Sequence, residues 1–422
     1  MRLPRREFLG LIPVSALSLQ LSERAAAAKE PVAGTKAPLI ASPPVVQHPS
    51  ADGFTVHFAV SSLATGWVEW GWSPDRLEHT AIAADHGLIR ASDLALSVRV
   101  RLDSPAAAGK PVYYRVVAQS LAYQTAYKLE RGEAVASEVH RLQLPSASVE
   151  TITIAIVNDT HENAATLDAL YGRVTSINPD LLVWNGDTCN DFDARDDPMQ
   201  IVLNPQKDVS KGWAAGRPLL FVPGNHDVRG QRARELSAGL SGWPDQSVLP
   251  YNFALRLGPV ALVGLDTGED KPDAHPVFAG TAAYEPYREQ QAAWLKQAVA
   301  RPEIATAPIR IAICHIPLRG LPGDNDGTTL EGHAYYSGMG AKLWLPILRE
   351  ARFVAVISGH RHKHRIDDPV NTEPIMQIVG GGPRPEGATL TILQADGNRA
   401  EVRVEDLEGK TISRREWSLP TG

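Results

Sequence analysis

Five short runs of Val, Ile and Leu, each followed by a carboxylate, an amide or an imidazole, do most to limit how this chain can fold. They lie at Ile152 to Val157, Leu181 to Trp184, Leu219 to Val222, Ile309 to Ile313 and Val354 to Ile357. Near-continuous apolar runs of this length predict strands buried on both faces, as in parallel sheets covered by helices. Amphipathic stretches predict helices between them at about 164–176, 286–300 and 339–351, the second with Tyr287, Ala292, Leu295 and Val299 at helical spacing. Paired strands are expected at 251–266 and a strand-rich tail at 374–415, which together predict a layered α/β core over residues 150–420.

At 422 residues the chain is longer than one hydrophobic core usually supports, roughly 250–300 residues. Residues 38–145 are expected to form a second domain. Short alternating runs at Phe54 to Val60, Gly66 to Trp70, Leu96 to Leu102 and Val112 to Ala118, separated by Gly, Pro, Asp and Ser, predict an all-β sandwich there.

At the N-terminus Arg5 and Arg6 precede Glu7, Phe8 and Leu9, an apolar run to Leu21 and the cluster Ala25 to Ala28. This order resembles a twin-arginine export signal over residues 1–28, cleaved near Ala28. The apolar run falls short of the ~20 residues that span a bilayer, and no other stretch reaches that length. The expected product is therefore a periplasmic or secreted protein with no membrane span, handed over by the twin-arginine export machinery. Residues 1–28 hold four basic and two acidic residues, so their removal takes the formal charge from −6 to −8. That balance argues against nucleic-acid binding by charge. The two cysteines, Cys189 and Cys314, provide no disulfide framework and are expected to be small buried hydrophobes.

The polar residues that end the buried runs are Asp159 and His161, then Asp187, Asn225 with His226, His315, and His360 with His362. Loops at the carboxyl ends of such strands converge on one crevice. Carboxylates, imidazoles and an amide, without a thiolate, make an oxygen and nitrogen donor set suited to Mn, Fe, Zn or Co. Two ions about 3.5–4 Å apart need one bridging carboxylate and roughly three further ligands each, a number that seven of these residues supply.

The segments VNDTH, WNGDTCND, PGNHD, ICHIP and SGHRH are similar, in order, to the motif set of the calcineurin-like metallophosphoesterases. Successive ligands from Asp159 are 28, 38, 90 and 45 residues apart. Upstream, VEWGWSP and VYYRVVA resemble the fibronectin-like domain that precedes the catalytic domain of purple acid phosphatases. The resemblance implies a four-layer αββα sandwich behind a fibronectin-like or immunoglobulin-like sandwich. It also implies two divalent or trivalent metal ions, Fe, Mn or Zn. Asp159, His161 and His362 would bind one ion, Asn225, His315 and His360 the other, and Asp187 would bridge them. A metal-bridging hydroxide would attack a small phosphoester while His226 protonates the leaving group, with Asp227 orienting the His226 ring. Phosphomonoester hydrolysis is the expected activity. A phosphodiesterase or nucleotidase with the same site is the alternative, followed by a noncatalytic surface-binding protein.

Two positions depart from the purple acid phosphatases. Asn190 stands where they carry Tyr, and Thr160 and His161 rather than Gly follow Asp159, so a tyrosinate-coloured ferric centre is not expected. The loop from Leu318 to Tyr336, with Arg319, could be a substrate-facing wall or a solvated loop, and Asp191, Asp193, Asp196 and Asp197 are expected to form a solvated loop. Arg361 and His364, beside the last ligands, are expected to point outward.

Overall fold

The structure, a computed structural model, describes residues 37–419 except 51, 103–109, 145, 147, 241–247 and 321–332. The export signal expected over residues 1–28 lies outside the described residues.

Two six-stranded sheets face each other over residues 152–418. The strands are β1 (Ile152–Val157), β2 (Leu181–Asn185), β3 (Leu219–Val222), β4 (Phe253–Leu257), β5 (Val260–Leu265), β6 (Ile309–Cys314), β7 (Ala355–Ser358), β8 (Arg365–Asp367), β9 (Met376–Val379), β10 (Leu390–Ala395), β11 (Arg399–Glu405) and β12 (Thr411–Ser418). One sheet runs β3-β2-β1-β10-β11-β12 and the other β4-β5-β6-β7-β9-β8. β1, β2 and β3 are parallel to one another, as are β5, β6, β7 and β9, while β10, β11 and β12 in the first sheet and the edge strands β4 and β8 in the second pair antiparallel.

The pleat of β1 shows why a continuous apolar run is needed. Ile152, Ile154 and Ile156 enter the core between the sheets, whereas Ala155 and Val157 face the layer beneath helix α1 (Ala164–Ile177). Burying each such Ile contributes about 1.5–3 kcal/mol. The Asn163 side chain caps α1 by accepting from the Thr166 amide at 3.1 Å, and Asn178 ends it in the left-handed region at φ 49°. Leu167, Leu170 and Val174 are its buried stripe. Helices α2 (Tyr284–Val299) and α3 (His333–Glu350) cover the outer face of the second sheet. The four layers are thus helix, sheet, sheet and helix. Helix α3 begins six residues before the sequence predicts, because Gly338 and Gly340 dilute its helical signal.

Residues 45–142 form the expected all-β sandwich. Val45–Ser50, Gly53–Ala59 and Ala95–Arg101 pack against a sheet through Lys128–Ala136, Val112–Thr125, Ala64–Gly71 and His79–Ile82. Phe54, Val56, Phe58, Trp70 and Tyr114 fill the space between. This sandwich is docked on the α/β core. The Val46 amide donates to the Ala214 carbonyl at 2.9 Å and Tyr114 Oη to the Ala215 carbonyl at 2.8 Å, while Val45, Ala59 and Ala95 join the apolar cluster under Met199 and Leu240. Pro38–Gly422 accordingly form one compact unit. Among the described residues no helix is long and apolar enough to cross a membrane.

Candidate metal centre

The carboxyl ends of β1, β2 and β3 in one sheet and of β6 and β7 in the other meet at one edge of the sandwich. Hydrogen bonds stitch the two sets of loops together there. The His360 amide donates to both Asp159 oxygens, at 3.0 and 2.8 Å. His315 Nδ1 donates to the Asn185 carbonyl at 2.9 Å, and Asn185 Nδ2 reaches the Cys314 and Ile357 carbonyls at 3.2 and 3.3 Å. Five of the seven expected ligand residues, Asp159, His161, Asp187, His360 and His362, have positive φ between 44° and 70°. Side chains avoid this region unless the surroundings enforce it, and such strain gathers at functional sites. Gly186 has no alternative at its position: φ is +81° and a Cβ would stand 2.3 Å from His315 Nδ1.

The side chains converge in two groups that share one carboxylate: Asp159, His161, Asp187 and His362, and Asp187, His315 and His360. His161 Nε2 and His362 Nε2 are 3.0 Å apart, with Asp187 Oδ2 3.5 Å from the first and Asp159 Oδ1 3.3 Å from the second. Asn225 joins the second group, its Oδ1 2.8 Å from His360 Nδ1. The cluster is buried except at His362, whose side chain is 43% exposed, so the site opens to solvent on that side.

The donor chemistry fits cations. In the neutral ring, with its proton on Nδ1 toward Asn185, His315 Nε2 presents a lone pair; that atom is buried and lies 3.1 Å from Asp187 Oδ2. Two acceptors facing each other need a proton or a cation between them. Burial acts to lower the His315 imidazole, but the Asp187 carboxylate outweighs it and raises it to about 10. Burial also pushes Asp187 upward, and His315 with His161 outweigh that to hold it well below the usual carboxylate range. A metal ion entering here displaces protons, so its affinity falls as pH is lowered.

His226 sits beside this cluster, its ring 4.8 Å from that of His161 and its amide donating to Asp187 Oδ1 at 2.9 Å. Asp227 does not orient the His226 ring as expected. Its carboxylate is fully buried and accepts from the Thr188 amide at 3.0 Å, the Thr188 hydroxyl and the Gly224 amide at 2.8 Å, tying the β2 and β3 loops together. The turn in the chain sends adjacent side chains in different directions, and the ring is held by the Asn190 carbonyl at Nδ1 and by Arg229 Nη1, 3.2 Å from Nε2.

Sequence reasoning missed Arg229 and its partners. Arg229 bonds the buried Glu269 through Nε and Asp270 through Nη2 at 2.8 Å, and Lys271 reaches Asp270 at 2.7 Å. Arg229 lies three residues after His226, a visible signal, but Glu269 and Asp270 arrive from the far end of β5 and carry none. In the sequence Asn190 stands out only as a departure, yet its Oδ1 also holds His161 Nδ1 at 3.2 Å. Cys189 and Cys314 are buried free thiols as expected, and Asp193 and Asp197 are spent on the turn at Arg195 and the cap of Pro198–Leu203. Arg319 donates to the carbonyls of Asp367 and Ile375, and His364 bonds the Val379 carbonyl and the Ser413 hydroxyl, so both are committed to the framework.

Behind Glu269, Asp266 is buried and accepts from Tyr287 Oη at 3.0 Å and the Gly268 amide at 2.8 Å. Burial raises its carboxyl from 3.8 to about 6. The folded protein therefore prefers the neutral acid, and stability is lost as pH rises from about 4 through about 6. Asp266→Asn is expected to remove that loss, on the order of 2–3 kcal/mol, seen as a smaller difference between urea midpoints at low and neutral pH than in the wild type. Parallel pH profiles for the two proteins would contradict this.

A buried, strained cluster of oxygen and nitrogen donors that share one carboxylate, at the meeting edge of an αββα sandwich, defines the class of metal-dependent hydrolases with a dinuclear centre. Residues 152–364 match the calcineurin-like phosphoesterases, and the chain belongs to that family. It is a metal-dependent phosphoester hydrolase. No curated protein matches the sequence. Among solved structures, a purple acid phosphatase from yellow lupin seeds is 12% identical, with a TM-score of 0.60 over 89% of this chain and 74% of that one. PhoD is 11% identical, with a TM-score of 0.58 over 90% and 94%. At these identities the likeness is one of fold.

Proposed function

We propose that this chain is an exported phosphomonoester hydrolase in which Asp159, His161 and His362 hold one metal ion, Asn225, His315 and His360 hold a second, and Asp187 holds both. The observation that carries this reading is the place of Asp187 in both donor groups. When bound, the two ions, among Fe, Mn and Zn, supply Lewis acidity to the phosphoryl oxygens and to the attacking water. In this reading His226 serves the leaving group. Arg229 can only donate, so in this arrangement His226 keeps its proton on Nδ1, toward Asn190, and its lone pair on Nε2. Release of Arg229 from Nε2 and uptake of a solvent proton there make the ring the acid that a departing alkoxide needs. Asp227 acts through Thr188 and Gly224, fixing the loops that carry Asp187 and His226. Export by the twin-arginine route rests on residues 1–28 alone.

The test is turnover of nitrophenyl phosphate and of bis-nitrophenyl phosphate by mature protein purified with its metals, beside Asn225→Ala. Preference for the monoester, with activity in the variant lower by about 10²-fold or more, is the expected result. Preference for the diester would replace the monoesterase by the phosphodiesterase. Silence on both esters in fully metallated protein would replace the general monoesterase by a hydrolase of a specialised ester or by the noncatalytic surface-binding reading.

A further inference from the structure

We propose that the cleft beside Arg229 is a leaving-group subsite that takes an uncharged group bearing a flat aromatic ring, the chemistry shared by nucleosides and phenols. The inference rests on the phosphoesterase reading and adds the kind of alcohol released. The cleft measures about 850 Å³, within the usual range for a small-molecule site. Its link to the metal donors runs through Arg229 and His226. Arg229 stands in its wall, 23% exposed, with Nη1 against His226 Nε2, and the His226 ring packs on His161. A leaving oxygen that took a proton from His226 would therefore carry its substituent past Arg229 into this space.

The walls select what fits. Phe278 and Tyr284 meet at 6.1 Å with their rings tilted by 59°, and Tyr287 continues the wall. Tyr284 lies over the bare backbone of Gly268, where φ is +60° and a Cβ would stand 2.4 Å from its Cδ1. The Asp273 carboxylate fixes this corner by accepting from the Tyr284 and Glu285 amides at 2.8 and 3.0 Å. Such rigid rings bind a flat ring by stacking or edge contact. Charge argues against a second phosphate: the basic residues Arg229, Arg234 and Lys271 stand among the acidic Asp191 and Glu269, and Asp266 adds a third negative charge above about pH 6. Arg229 and Lys271 are moreover engaged by Glu269 and Asp270. Diphosphates and nucleic-acid chains are thereby disfavoured.

The experiment compares kcat/KM for phenyl phosphate and for a nucleoside 5′-monophosphate, each relative to glycerol phosphate, in the metallated protein. Variants Tyr284→Ala, which opens the wall, and Ala282→Trp, which fills the cleft, keep the test independent of either one folding poorly. Wild type is expected to favour at least one aromatic ester, and both variants to reduce that ratio by about tenfold. The ester whose ratio falls identifies the source as nucleoside or simple phenol. Ratios near one in wild type, or ratios that survive both variants, would overturn the proposal. If no ester is hydrolysed, the phosphoesterase reading fails and the cleft is judged by calorimetric binding of benzylphosphonate against methylphosphonate. A preference lost in Tyr284→Ala keeps the subsite, and equal affinities overturn it.

Discussion

Replacing Asp187 by Asn is expected to lower bound metal from two equivalents per chain to one or fewer and to reduce kcat/KM by about 10⁴-fold or more. Asp187 Oδ2 lies 3.1 Å from His315 Nε2 and 3.5 Å from His161 Nε2, so one oxygen faces both donor groups. Its Oδ1 accepts the His226 amide at 2.9 Å. An amide can keep this last bond through its carbonyl oxygen and preserve the loop, while losing the charge that sits between the groups. The loss should therefore appear in metal analysis and turnover together, with a far-UV spectrum like that of wild type. Two equivalents of metal and activity within tenfold of wild type would show that Asp187 is not the shared ligand.

His226→Asn is expected to act according to the leaving group. With an alkyl phosphate such as glycerol phosphate, whose alkoxide departs only when protonated, kcat should fall by about 10²–10⁴-fold. With nitrophenyl phosphate, whose phenolate leaves without a proton, the fall should be much smaller. The geometry supports this split because the ring lies against His161 and makes no carboxylate contact, held instead by a backbone carbonyl on one nitrogen and Arg229 on the other. Equal losses on the two substrates would make His226 a phosphate-binding residue rather than the acid.

Much of the α/β core was legible because its strands are buried on both faces. The run from Ile152 to Val157 is unbroken apolar sequence apart from Thr153, and β1 has those bounds. The polar residues after each run could be read as one site because parallel strands place their carboxyl ends together, and the structure brings all seven expected donors to that edge. What stayed hidden depends on contacts distant in sequence. The cap of α2 comes from Asp273, eleven residues upstream of Tyr284, and the partners of Arg229 come from 40 and 41 residues away. Adjacency misled for Asp227, since neighbouring in the chain does not mean facing the same way. In the front sandwich the run at Val112 extends to Thr125 as one arm of a hairpin whose outer half is exposed on both faces, with Tyr123 and Leu129 among its exposed side chains, and so lacks the alternation that marks a half-buried strand.

The most direct test of the account is to strip the mature protein of metal with a chelator and titrate Mn, Zn or Fe back while following nitrophenyl phosphate turnover. The account predicts no turnover in the stripped protein and activity that rises to its plateau only as the second equivalent binds. Full turnover without metal, or a plateau at one equivalent, would contradict a dinuclear centre built on Asp187.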